Sequence, residues 1–163
     1  MPLRITRVGG QRRTLLLAAL LIAGCRGDAD QLASQARVEV RAALARYGDL
    51  VTRMDSRGIA AMYTVDGEIS EPGQPVTVGR DSIRAFLDSF AGFHVEENAM
   101  TSDTIVVKGA SLVQNGRFSQ RVWMPDGTEV RPRGSFIAEW VRESDGQWRI
   151  RRMHSVPDPL ERK

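Results

Sequence analysis

Two histidines, one strand carboxylate and three tryptophans are the side chains from which this 163-residue chain would have to assemble a chemistry. His94 and His154 titrate near neutral pH, and either could act as an acid or base, although structural or rim positions are the plainer reading of both. His154 alternates with Trp148, Ile150 and Arg152, so it is expected on the tryptophan side of its strand. Glu71 shares strand parity with Ile69, which turns it inward. It also precedes Pro72-Gly73, a turn in which a carboxylate is ordinarily solvated. Enclosed in an apolar cavity, Glu71 would be a usable general base. Trp123, Trp140 and Trp148 are core residues of strands by default. Trp123 and Trp140, together with His154, are the candidate lining of a ligand pocket.

Other chemistries lack their residues. Two separated histidines and a lone cysteine make no zinc motif. There is no Gly-x-Ser-x-Gly elbow and no glycine-rich phosphate loop. Neither a metal nor a nucleotide cofactor is expected. The formal charge of +3 comes from the N-terminus, where Arg4, Arg7, Arg12 and Arg13 stand without a carboxylate. Without those four, 19 basic residues face 20 acidic ones. A nearly neutral remainder has no strong electrostatic reason to bind nucleic acid.

The arginine-rich start leads into an apolar run, Thr14 to Ala23, and then to small residues before the chain's single cysteine. The run is far shorter than the roughly 20 residues of a membrane-spanning helix. Ile22-Ala23-Gly24-Cys25 resembles the bacterial lipobox, with isoleucine at the usual leucine position. That resemblance implies an exported protein whose signal peptide, residues 1–24, is removed and whose Cys25 carries lipid. The alternative is an ordinary signal peptide with an incidental cysteine. Residues 25–31 would form a lipidated tether anchoring the domain in the cell envelope. Arg26 after the cysteine implies the outer membrane, facing the periplasm, in a bacterium with two membranes.

The rest of the chain reads as one domain over 32–157, with a polar tail at 158–163. Val40, Leu44, Tyr47, Val51 and Met54 form one apolar stripe and predict a helix over 32–54. Tyr47 sits mid-stripe, a core position whose hydroxyl still needs a partner. A short helix is expected at 57–63, then a hairpin of 67–71 and 76–78 about Pro72-Gly73-Gln74-Pro75. A third helix opens at 79–82, capped by Asp81 or Ser82, with Ile83, Phe86, Leu87 and Phe90 on one face. Strands over 94–107, 111–124, 129–143 and 147–155, separated by turns such as Asp126-Gly127 and Asp145-Gly146, predict an antiparallel meander. Helices grouped before strands indicate an α+β fold with helices on one face of a curved antiparallel sheet. Arg117, Arg121, Arg131, Arg133, Arg149 and Arg151 share odd strand positions. A solvated face offset by Glu129, Glu139 and Glu143 is expected, with a dimer face as the alternative.

This order and several local signatures resemble the nuclear transport factor 2-like superfamily, especially its SnoaL-like branch. The matching residues are Ala60-Ala-Met-Tyr63, Glu71-Pro72-Gly73 and Val78-Gly79-Arg80-Asp81-Ser82-Ile83. Later ones are Gly134-Ser-Phe136, Trp140 and Asp145-Gly146-Gln-Trp148-Arg-Ile150. The resemblance covers about 40–157 and implies a cone-shaped α+β barrel enclosing a pocket, with possible pairing of two copies through the sheet face. The ketosteroid isomerases of this fold use a carboxylate base, a tyrosine and a protonated acid as oxyanion donors. Laid on that pattern, Glu71 falls at the base and Tyr47 at the tyrosine, while the second acid's position is Gly134. Two functions follow. One is a membrane-tethered module binding a small, mostly apolar ligand or a protein partner. The other is a cofactor-free acid–base enzyme using Glu71 as base and Tyr47 as hydrogen-bond donor.

Overall fold

The computed structural model describes residues 14–159 in backbone and those from residue 29 onward in side chains. Residues 1–13 and 160–163, and the Cys25 side chain, lie outside this description, and with them most of the leader and the end of the tail. The chain divides into two units, 1–36 and 37–163. Helix α1 (Thr14–Thr52) begins in the first and ends in the second, so the segment 25–31 expected to be a tether is helical. No helix among the described residues is long and apolar enough to cross a membrane.

Within the second unit, Val40, Leu44, Tyr47 and Leu50 are the buried face of α1. Val51 is only half-buried, and Met54 lies beyond the helix at φ 52°. Met54 stands where glycine usually closes a helix: its N–H bonds the Val51 carbonyl, and the Asp55 N–H reaches back to Leu50. Asp55 then caps α2 (Ser56–Ala61), accepting from the Gly58 N–H at 2.8 Å. Helix α3 (Arg80–Asp88) starts at Gly79, φ 89°, without a side-chain cap. The expected capping by Asp81 or Ser82 is thus corrected: Asp81 lies in the first turn, where its charge favours the helix dipole.

The strands are β1 (Tyr63–Ser70), β2 (Thr77–Val78), β3 (His94–Lys108), β4 (Ser111–Trp123), β5 (Glu129–Val130), β6 (Arg133–Arg142) and β7 (Trp148–Pro157). They form one sheet in the order β2-β1-β7-β6-β4-β3, with β5 beside β4. The β3-β4-β6-β7 meander is antiparallel, as expected. The wholly antiparallel sheet is not: β1 runs parallel to β7, pairing Tyr63 with Ile150 and Ser70 with His154. The fold is therefore α+β, with N-terminal helices on a curved mixed sheet. The single strand expected over 129–143 is two, interrupted around Pro132, which has no N–H for a ladder.

A bulge between β6 and β7 alters the face of the last strand. Trp140 pairs with Ile150, but Glu139 pairs with Arg152, leaving Arg151 as the extra residue. Ile150 and Met153 are consequently both buried, and His154 faces the side opposite Met153. The odd-numbered arginines meet carboxylates: Arg131 with Glu129, Arg149 with Glu143 and Asp145, Arg151 with Glu139, and Arg117 with Asp158. Exposed pairs of this kind contribute about 0–1 kcal/mol each.

Candidate functional site

A cavity of about 360 Å³ opens between the three helices and strands β1, β3, β4 and β7. Its wall is mostly apolar: Ile59, Ile69, Phe86, Phe90, Phe93, Val95, Val122 and Met153 line it. The three phenylalanines come from α3 and the turn after it. They stack edge to face, with centroids 5.2 Å apart for Phe86–Phe90 and 5.6 Å for Phe90–Phe93. Such pairs add about 0.5–1.5 kcal/mol beyond their burial. Of the apolar residues expected on the third helix, Phe86 and Leu87 reach the cavity from α3 and Phe90 from the turn that follows.

Polar groups enter at a few points: Tyr47, Ser56, Tyr63, Glu71, Gln120 and Ser155. The Tyr47 and Tyr63 hydroxyls lie 3.3 Å apart in the interior. Tyr63 is wholly buried, whereas Tyr47 retains slight exposure. Among the described residues the Tyr63 hydroxyl has only the Tyr47 oxygen within hydrogen-bond reach, and a buried donor left unpaired is costly. Either hydroxyl can be the donor, so the pair uses one of its two protons and keeps the other for a molecule in the cavity. Burial pushes the Tyr47 hydroxyl above the ordinary phenol pKa, the bond with Tyr63 opposes this, and the charge of Glu71 adds to it. Tyr63 is held well above the ordinary value, first by burial and then by its neighbour Tyr47. Both phenols are protonated donors at neutral pH.

Two side chains fix this arrangement from behind. Arg80, in the first turn of α3, donates from Nε and Nη2 to the Tyr63 carbonyl at 3.2 and 2.6 Å. Asn98 on β3 donates from Nδ2 to the carbonyl of Gly48, the residue after Tyr47, at 3.0 Å.

The structure brings Tyr47 and Glu71 to one cavity, but in different settings. Glu71 is exposed at the mouth, just before the Pro72-Gly73 turn, and not enclosed. Trp123, Trp140 and His154 do not line this cavity. Trp140 is fully buried, donating from Nε1 to Gln114 Oε1 at 2.8 Å. Trp123 is about one-third exposed and donates to Glu96 at 2.7 Å. His154 meets the Ser70 hydroxyl through Nδ1 at 2.9 Å, on the other face, because the Arg151 bulge reverses its parity. His94, at the start of β3, is exposed. Among the described residues no group of three or more His, Cys, Asp or Glu is arranged to hold a metal ion.

Gly134, where the resemblance would put a second acid, has no room for a side chain. A Cβ there would sit 2.3 Å from the Val156 carbonyl oxygen and 2.8 Å from the Pro157 Cα. Sequence reasoning missed Tyr63 and Gln120 as pocket residues. Tyr63 was legible only as an apolar position at the end of the helix expected over 57–63, whereas α2 stops at Ala61 and Tyr63 opens β1, and Gln120 carried no signal of its own.

The SnoaL-like domain family model matches residues 33–154. No functionally curated protein matches the sequence. Among solved structures, a ketosteroid isomerase-like protein from Erwinia carotovora atroseptica is 20% identical with a TM-score of 0.67, covering 74% of this chain and 94% of that one. ActVI-ORFA from Streptomyces coelicolor is 22% identical, TM-score 0.63, covering 77% and 99%. An NTF2-like protein with a cystatin-like fold from Novosphingobium aromaticivorans is 21% identical, TM-score 0.60, covering 94% of each chain. At such identities the likeness is one of fold, on which many functions are built.

Proposed function

The chain belongs to the SnoaL-like domain family, and on that premise we propose that its cavity binds a small, mostly apolar molecule whose oxygen accepts a hydrogen bond from Tyr47. The supporting observation is the combination of an apolar, aromatic-walled cavity with a pair of buried phenols that keeps one proton to give. Such a site favours a cyclic ketone or quinone-like compound over an anion, because the described residues that line it include no Lys or Arg. The bicyclic ketone tetralone is a suitable probe. It should bind the wild-type domain saturably and lose that binding in Ser155→Trp, whose indole would fill the cavity. Equal binding to both proteins would place the ligand elsewhere.

A second reading is favoured by one observation: Glu71 lines the same cavity, near enough for its charge to act on Tyr47. Glu71 would then take a proton from the carbon beside a carbonyl while Tyr47 holds the carbonyl oxygen. Negative charge developing on that oxygen would strengthen the hydrogen bond from Tyr47. The absence of a second acid at Gly134 leaves Tyr47, backed by Tyr63, as the donor in this scheme.

The lipobox-like junction at Cys25 supports export and lipid anchoring, with the pocket domain held at a membrane surface in the cell envelope. A mature N-terminus carrying lipid on Cys25, and its loss in Cys25→Ser, would be seen by mass spectrometry of the protein from a bacterial envelope. An unmodified Cys25 would exclude the anchor.

A further inference from the structure

We propose that Gln120 is a hydrogen-bond acceptor held ready for the ligand, so that the cavity selects a molecule bearing a hydroxyl donor as well as a carbonyl. The inference rests on the pocket reading above and specifies the ligand class. Its basis is a relay in which each hydrogen bond dictates the orientation of the next.

The relay begins at Gly48, whose backbone carbonyl can only accept. Asn98 must therefore turn its Nδ2 towards Gly48, at 3.0 Å. Its Oδ1 then faces Gln120, its partner across the β3–β4 ladder. Facing an acceptor, Gln120 must present its own amide nitrogen, and Nε2 donates to Asn98 Oδ1 at 3.0 Å. Gln120 Oε1 is left over as an acceptor that receives no hydrogen bond from any described residue. Gln120 lies on the same side of β4 as Val122, and both line the cavity. An amide's two ends are near-equal in shape, and here a fixed carbonyl two links away breaks the tie.

Backbone contacts set the residues of the relay in place. The Gln120 backbone N–H donates to the Pro132 carbonyl at 2.9 Å, and Pro132 itself lines the cavity. Gly48 permits the close approach of Asn98, since a Cβ there would lie 3.2 Å from Nδ2. The relay therefore starts at the residue after Tyr47 and ends at Gln120. Tyr47 offers a proton and Gln120 accepts one, so a hydroxylated cyclic ketone satisfies both. An O-methylated analogue would leave Oε1 facing an apolar group with no donor for it, which is unfavourable.

The test compares a tetralone hydroxylated on its aromatic ring with the same compound methylated on that oxygen, with unsubstituted tetralone as the reference. Calorimetric titration of the wild-type domain should favour the hydroxyl compound over the methyl ether by about threefold to tenfold, the range of one net hydrogen bond. Gln120→Met, close in shape but without the amide, should bring that ratio to about one. Asn98→Ala, which frees Gln120 to rotate, should reduce it. If tetralone binds the wild type but the ratio is already one, or Gln120→Met keeps the preference, the role of Gln120 is overturned and the pocket reading stands. If none of the three compounds binds, the pocket reading fails and this inference fails with it. Should Gln120→Met not fold, the wild-type ratio and Asn98→Ala decide.

Discussion

The hydroxyls of Tyr47 and Tyr63 meet at 3.3 Å inside the domain, one from the first helix and the other from the first strand. They are the only tyrosines in the chain. Their rings stand edge to face with centroids 6.3 Å apart. Tyrosinate absorbance therefore reports on this site and nothing else.

Both phenols have pKa values raised by folding, chiefly through burial. A raised folded-state value means that the protonated form stabilises the fold. That stability is fully present below the unfolded phenol pKa of about 10 and is lost as pH rises through the folded values. An alkaline spectrophotometric titration should show little tyrosinate near pH 10, then ionisation of both residues together with unfolding by circular dichroism. Ionisation of either tyrosine in the folded protein at its ordinary pH would contradict the placement.

The pair can also be weighed directly. Tyr63→Phe and Tyr47→Phe each remove one hydroxyl and strand or free the other. Each should lower unfolding free energy by about 1 kcal/mol in urea denaturation. The double variant should cost less than the sum of the two, because the same bond is deleted twice. Additive losses would show that the hydroxyls do not interact.

Gly134 is tight enough that even one methyl is excluded. Gly134→Ala should destabilise the domain by about 1–3 kcal/mol through overpacking against the β7 backbone. Gly134→Asp should be worse, adding a buried carboxyl without supplying a pocket acid. A neutral or stabilising effect of either would mean that β7 moves away readily.

If the second reading holds, the wild type accelerates exchange of tetralone's protons beside the carbonyl in heavy water. Glu71→Gln should then lower exchange by about a hundredfold or more while leaving the aromatic wall intact. Exchange at the buffer rate in the wild type would leave binding as the domain's function.

Much of the architecture was legible in local pattern. The stripe Val40, Leu44 and Tyr47 identified the first helix, and Asp126-Gly127 and Asp145-Gly146 marked the turns between long strands. What could not be read were features set by partners distant in the chain. The parallel pairing of β1 with β7 joins residues about 85 apart, and no local period encodes it. Strand parity put His154 with the tryptophans, and a single bulge at Arg151 undid that. Trp140 looked like pocket lining but is satisfied in the core by Gln114, a buried polar residue with no sequence signature. The site was half visible: Tyr47 and Glu71 share the cavity, but Tyr63, Asn98 and Gln120 owe their places to hydrogen bonds between elements.

The central claim, a ligand oxygen held by Tyr47 in an apolar cavity, is tested most directly by titrating tetralone into wild-type and Tyr47→Phe domains in a calorimeter. The account predicts saturable binding of one molecule to the wild type, weakened about threefold to tenfold when the hydroxyl is removed. Absence of binding, or equal affinity in the two proteins, would contradict it.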